Sequence, residues 1–183
     1  MLTSRDVLAA AAEQSKALLG RYLKGFDDAS GVAQPPSLPN HVIWALGHCA
    51  ATMHRVAGEI DGGRMPEGDF IVSPAAVPGK PDLAARGDAR RFHFESVAFG
   101  SAPTSDPSRY PPLARAREIY DGACDRIAAA VRGAPDEALA RKIPWGGGQQ
   151  SLWELVLRML FHNGMHAGQT ADTRRALGMG SIM

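Results

Sequence analysis

The sequence predicts an all-α protein: a four-helix bundle with a long irregular insertion between its second and third helices. Three observations predict it. Apolar residues recur at helical spacing over four stretches, near 3–25, 39–61, 112–133 and 150–177. Proline and glycine punctuate the chain between those stretches. No stretch makes a convincing sheet, so the four apolar stripes must bury against one another.

At 183 residues, with 45% hydrophobic and 21% charged side chains, the chain suits a single domain spanning 1–183 with an ordinary soluble composition. A net charge of +1 offers no electrostatic case for nucleic acid or an anionic membrane. No apolar run reaches the roughly 20 residues that span a bilayer. The opening MLTSRDVLAAAAEQ carries Asp6 and Glu13 where a signal peptide needs an uninterrupted apolar stretch, so a cytoplasmic protein is expected. Cys49 and Cys124 fall in predicted helices, form no CxxC and read as reduced, partly buried thiols.

Thr3 or Ser4 can cap the first helix, with Asp6 favourable in its first turn. Leu8, Ala11, Ser15, Leu18, Tyr22 and Phe26 form its stripe, and 27–39, with Gly31 and three prolines, forms a loop. The second helix begins near Asn40 and stops at Gly62–Gly63. Val42, Leu46, Cys49, Met53, Val56 and Ile60 make its main stripe. A second face carries His41, Trp44, His48, Thr52, Arg55 and Glu59. His48 stands in so apolar a turn that it is expected to be buried and to need a partner. His41, two turns away, either lines a cavity mouth or starts the helix in solvent. His54 lies about 240° round from His48 and is expected at the surface.

Residues 62–112 keep no helical period. Phe92, Phe94 and Val97 suggest at best one short strand, and so long a loop suits a lid over a binding site. Arg90, Arg91 and His93 either hold an anion or form a solvated basic cluster. The third helix follows Pro111–Pro112, with Leu113, Ala116, Tyr120, Ala123, Ile127 and Val131 as its stripe. Residues 136–145 read as one extra turn and an extended piece, and Gly146–Gly148 as a flexible hinge. Ser151 and Glu154 have capping-box spacing at the start of the fourth helix. Arg174 and Arg175 suit its last turn.

LWELVLRMLF, Leu152–Phe161, is apolar nearly all round and is expected to be buried. His162 and His166 continue its line, four residues apart. On a helix they sit about 40° apart on one face and roughly 6 Å apart along the axis, as one helix offers two imidazoles to one metal ion. The other use of such a pair is a hydrogen-bonded one in the core or at a cavity mouth.

NHVIWALGHCA (Asn40–Ala50) and SLWELVLRMLFHNGMHAGQTADTRRALG (Ser151–Gly178) together resemble the DinB-like superfamily. The resemblance rests on W-x-x-G-H combined with H-x-x-x-H-x-G-Q, and covers the first and third helices by position only. It implies an up-down-down-up four-helix bundle, a divalent metal ion (zinc or nickel) on His48, His162 and His166, and a homodimer. It also brings in thiol transferases using low-molecular-weight bacterial thiols, a thiol-dependent maleylpyruvate isomerase and some hydrolases. The chain departs from many members in having Ala167 where they have arginine, and in the length of 62–112.

Three imidazoles leave a divalent ion open to further ligands, so that it can make a water or a thiol more acidic. The expected function is therefore metal-assisted activation of a thiol or water on a small molecule. The alternatives are a non-catalytic metal-stabilised bundle that binds a small ligand or partner, and a purely structural bundle. His41, Trp44, Arg55, Gln169 and His93 are further candidates for ligand contact. Glu59, Glu95, Glu154 and Asp172 are candidate general bases, with Glu154 better suited to capping.

Overall fold

The computed structural model describes residues 2–73 and 86–182. Helix α1, Ser4–Tyr22, starts with a capping box: the Thr3 hydroxyl accepts the Asp6 N–H, and the Asp6 carboxylate accepts the Thr3 N–H. It ends short of residue 25, where Gly25 turns at φ 86°. The expected loop 27–39 contains a one-turn helix, α2 (Asp28–Gly31). A local capping box starts it, in which the Asp27 carboxylate accepts the Ser30 N–H and the Ser30 hydroxyl accepts the Asp27 N–H. Asp28 then accepts the Leu113 N–H at 2.7 Å, at the start of a later helix that follows proline and has no side-chain cap from its N-cap residue.

Helix α3 spans Val42–Asp61 and ends on Gly62 at φ 73°, a left-handed cap that suits glycine. Fourteen of its 20 residues are buried, which makes it the central element of the core. The described parts of the insertion hold more secondary structure than its lack of period predicted. Strands β1 (Phe70–Ile71) and β2 (Phe92–His93) pair in parallel, and β2 runs directly into helix α4, Phe94–Val97. A single 3-10 turn follows at Pro107–Arg109. Phe70, Phe92 and Val97 all enter the core. A Cβ at position 47 would stand 2.7 Å from the Phe92 ring, so Gly47 is what lets this insertion pack flush on α3. Residues 74–85, part of the expected lid, lie outside the described residues.

Helix α5, Leu113–Gly133, is followed by the short α6, Asp136–Ala140. Strands β3 (Lys142–Trp145) and β4 (Gly148–Ser151) then form an antiparallel hairpin. The glycines expected to act as a hinge are its tight turn, because Gly146 and Gly147 both take positive φ, 60° and 84°. Helix α7, Leu152–Ala176, leaves β4 without a break through the Ser151–Glu154 capping box. Helices α1 and α3 each pack against both α5 and α7, so the described residues are mainly helical with two minimal sheets. Helix α7 is not buried all round as its composition suggested, since Trp153, Leu157, Phe161 and Met165 face outward. No helix among the described residues is long and apolar enough to cross a membrane.

Two histidines sit where the sequence misled. His41 is neither a mouth residue nor solvated: it is fully buried, and its Nδ1 caps α3 by accepting the Trp44 N–H at 3.1 Å. His54 is buried rather than at the surface, edge-on to Phe70 and 3.4 Å from the Arg126 guanidinium. The insertion covers the side of α3 that helical periodicity assigns to solvent. Burial pushes both imidazoles down to about 4, with Arg126 adding to the effect at His54.

Acid stability follows from that shift. In the unfolded chain these rings take protons near 6.5, whereas in the fold they do so only near 4. Between those values the unfolded state holds more protons, so stability is fully present above pH 6.5 and is lost as pH falls toward 4. The melting temperature of the metal-free protein should drop across this window, and a flat profile would contradict the burial of both rings.

Candidate metal centre

Helix α3 presents His48, and helix α7 presents His162 and His166 one turn apart. Packing of α3 against α7 brings the three together. Ring centroids are 4.9 Å apart for His48 and His162, 5.3 Å for His48 and His166, and 4.7 Å for His162 and His166. One ligand nitrogen from each lies within 4.8 Å of the others. A tetrahedral site with bonds of roughly 2.1 Å has an edge of roughly 3.4 Å, so a bound ion would draw the three nitrogens closer together.

The rings are held from behind. His48 Nδ1 lies 2.7 Å from the Val97 carbonyl, an acceptor only, so Nδ1 carries the proton and Nε2 is left as a lone-pair donor. His166 Nδ1 lies 2.8 Å from Gln169 Oε1, and the same oxygen accepts from Asn40 Nδ2 at 3.0 Å. His166 Nε2 is buried with no hydrogen-bond partner among the described residues. An orphaned buried lone pair is costly unless something else takes it, and a cation fits. The weakest tie is at His162, whose Nδ1 is 4.0 Å from Cys49 Sγ.

The rings are neutral as well as oriented. Burial lowers His48, and burial with the neighbouring histidines lowers His162 to about 4 and His166 to about 3. Neutral imidazole is the ligating form. Trp44 stacks on His48 with centroids 4.6 Å apart and planes 11° apart, and stands edge-on to His166. Its Nε1–H donates to Ser101 Oγ at 3.0 Å. Together with the Val97 contact, this fastens 97–101 over the rings.

The triad opens into a cavity of about 580 Å³ between α3, α7, the 94–100 segment and the β3–β4 hairpin. Trp44 and Arg55 line it. His41 and His93 do not: His41 caps α3, and His93 belongs to β2. Gln169 contacts His166 rather than the cavity. None of the four carboxylates considered as a general base lines it. Glu59 pairs with Arg141, Glu154 caps α7, and Asp172 pairs with Arg175. Glu95 is buried in α4, outside the lining. Sequence reasoning missed the Val97 carbonyl, which no pattern signals, and Asn40, whose partner lies in another helix. Arg158 was legible as a charge one turn before His162.

The family model of the DinB superfamily matches residues 11–170. The chain belongs to the DinB superfamily. The chain is also similar in fold to the crystal structure of a conserved protein of Enterococcus faecalis, with a TM-score of 0.68 at 13% identity, covering 97% of this chain and 99% of that one. No curated protein matches it. As a DinB superfamily protein it carries a three-histidine cluster able to hold a divalent ion.

The hydrogen bond behind His166 yields a measurable expectation. Gln169→Leu removes the acceptor and should weaken metal uptake by about 10- to 100-fold, whereas Gln169→Glu should retain it. Competition with a chromophoric chelator measures this, and unchanged affinity in Gln169→Leu would show that the contact does not orient the ring.

Proposed function

We propose that this DinB superfamily protein is an enzyme in which His48, His162 and His166 hold a zinc or nickel ion that activates a low-molecular-weight thiol or a water for reaction with a small molecule. The observation that carries the reading is the convergence of three neutral imidazoles, one of which leaves a buried Nε2 with no partner among the described residues. A bound divalent ion supplies a Lewis acid there. The chain's own contribution is to orient the rings through Val97 and Gln169, to keep them unprotonated and to cover them with 97–101.

Between the two nucleophiles, the cavity wall favours the thiol. Among the described residues no Asp or Glu lines the cavity, so none of their carboxylates stands ready to take a proton from water. A thiol, with a pKa near about 8.5, needs far less help than water to ionise next to a cation. A non-catalytic, metal-stabilised ligand-binding bundle is the outcome if metal binds and no thiol or hydrolytic substrate turns over.

The remaining proposals concern context. We read 1–183 as one domain whose four long helices run up, down, down, up, acting in the cytoplasm with no nucleic-acid or membrane partner. We also propose a homodimer formed through the outward face of α7, where Trp153, Leu157, Phe161 and Met165 recur every fourth residue. Phe161 is 82% exposed and is the least intrusive position to charge. Light scattering should find twice 19.4 kDa for the native chain and a monomer for Phe161→Asp. A native monomer at all working concentrations would refute the dimer.

The metal reading is tested by elemental analysis after chelator-free purification. His48→Ala, His162→Ala and His166→Ala should each lose most of the bound ion. His54→Ala should keep it, although its burial means that this variant should also be less stable. Unchanged metal in all three ligand variants would end the reading.

A further inference from the structure

The triad occupies one end of its cavity, and two arginines line another part of the wall. Helix α3 carries His48 and Arg55 seven residues apart, and α7 carries Arg158 and His162 four apart. Along the helix axes that is roughly 10 Å and roughly 6 Å. The β3–β4 hairpin gathers the two side chains. The Arg55 guanidinium lies 4.8 Å from the Trp145 ring centroid, a cation–π contact that holds it in place. The adjacent residue, Gly146, would place a Cβ 3.9 Å from Arg158 Nη1.

Their charge is uncompensated. Elsewhere Arg115 pairs with Asp69, Arg126 with Asp61, Arg132 with Glu13 and Arg141 with Glu59. Among the described residues neither Arg55 nor Arg158 has a carboxylate partner, and no acidic side chain lines the cavity. The three imidazoles add no negative charge, and a divalent ion would add positive charge. Both arginines are exposed, so they make the mouth of this cavity attractive to anions, and the guanidinium fork matches a carboxylate in particular.

We propose that Arg55 and Arg158 form a carboxylate subsite, so that the ligand of this cavity is an elongated organic acid whose carboxylate is held between the two guanidinium groups while its other end reaches the histidine triad. Trp145, Met159 and Met165 provide the apolar wall along which its carbon chain would lie. The proposal deepens the metal reading and rests on it only for the far end of the ligand.

The probe is mercaptohexanoate against its methyl ester, which has the same thiol and chain but no charge. Binding to the metal-loaded protein at neutral pH is followed by calorimetry. The acid should bind at least about tenfold tighter than the ester, a difference typical of a charge-assisted pair. In the Arg55→Met, Arg158→Met double variant, which keeps the apolar stems, the acid should fall to the affinity of the ester. The ester's own affinity, the metal content and the melting temperature should stay unchanged, which separates loss of the subsite from loss of fold. Equal binding of acid and ester to the native protein would overturn the proposal, as would an acid preference that survives in the double variant. Elemental analysis keeps the two readings apart. If the protein takes up no metal, the triad reading falls alone, and the same comparison is made with hexanoate and its ester on the metal-free protein. There the acid preference must persist and must still depend on both arginines.

Discussion

The structure depends on the near-complete burial of α3. A helix buried on most of its circumference needs partners on every side, and two neighbouring helices cannot supply them all. α5 and α7 cover part of it, and the insertion between α3 and α5 covers the rest through Phe70, Phe92 and Val97. This is why a segment rich in proline and glycine contains paired strands and a helical turn. It also explains Gly47, the one point where the helix must thin to admit an aromatic ring.

The same burial determines the chemistry of the histidines. His41, His48, His54 and His166 are all shielded, and desolvation favours their neutral form. Neutral imidazole has one donor and one acceptor nitrogen, so a single back contact determines what the other nitrogen can do. At His41 the acceptor is used within the helix cap. At His48 and His166 the back contacts are acceptors, which leaves each Nε2 as the lone-pair nitrogen within the triad. One residue type thus serves as structural cap at one end of α3 and as candidate ligand two turns on.

Much of the helical framework was legible because helical stripes, capping boxes and Pro/Gly breaks are local signals. The Thr3–Asp6 and Ser151–Glu154 boxes and the Gly62 terminus appear where the residues predict them. Errors arose wherever a distant segment supplied the partner. His54 was assigned to solvent because periodicity sees only its own helix, and Phe70 lies far away in sequence. The glycines after Trp145 read as a hinge because their tight turn is apparent only once β3 and β4 pair. The α2 turn carries a local Asp27–Ser30 capping box, but at four residues it is too short to show a helical period.

The sequence by itself determined the helical class, the superfamily and the His162–His166 pair, since spacing along one helix suffices to place two rings on one face. It also singled out His48 as a polar group in an apolar turn that would need a partner. Only the tertiary structure decided that the three rings meet, that Val97 and Gln169 orient two of them, and that the hairpin brings Arg55 and Arg158 to one cavity. The physical reason is that convergence, tautomer and local field depend on atoms contributed by segments far apart in the chain, which no local period encodes.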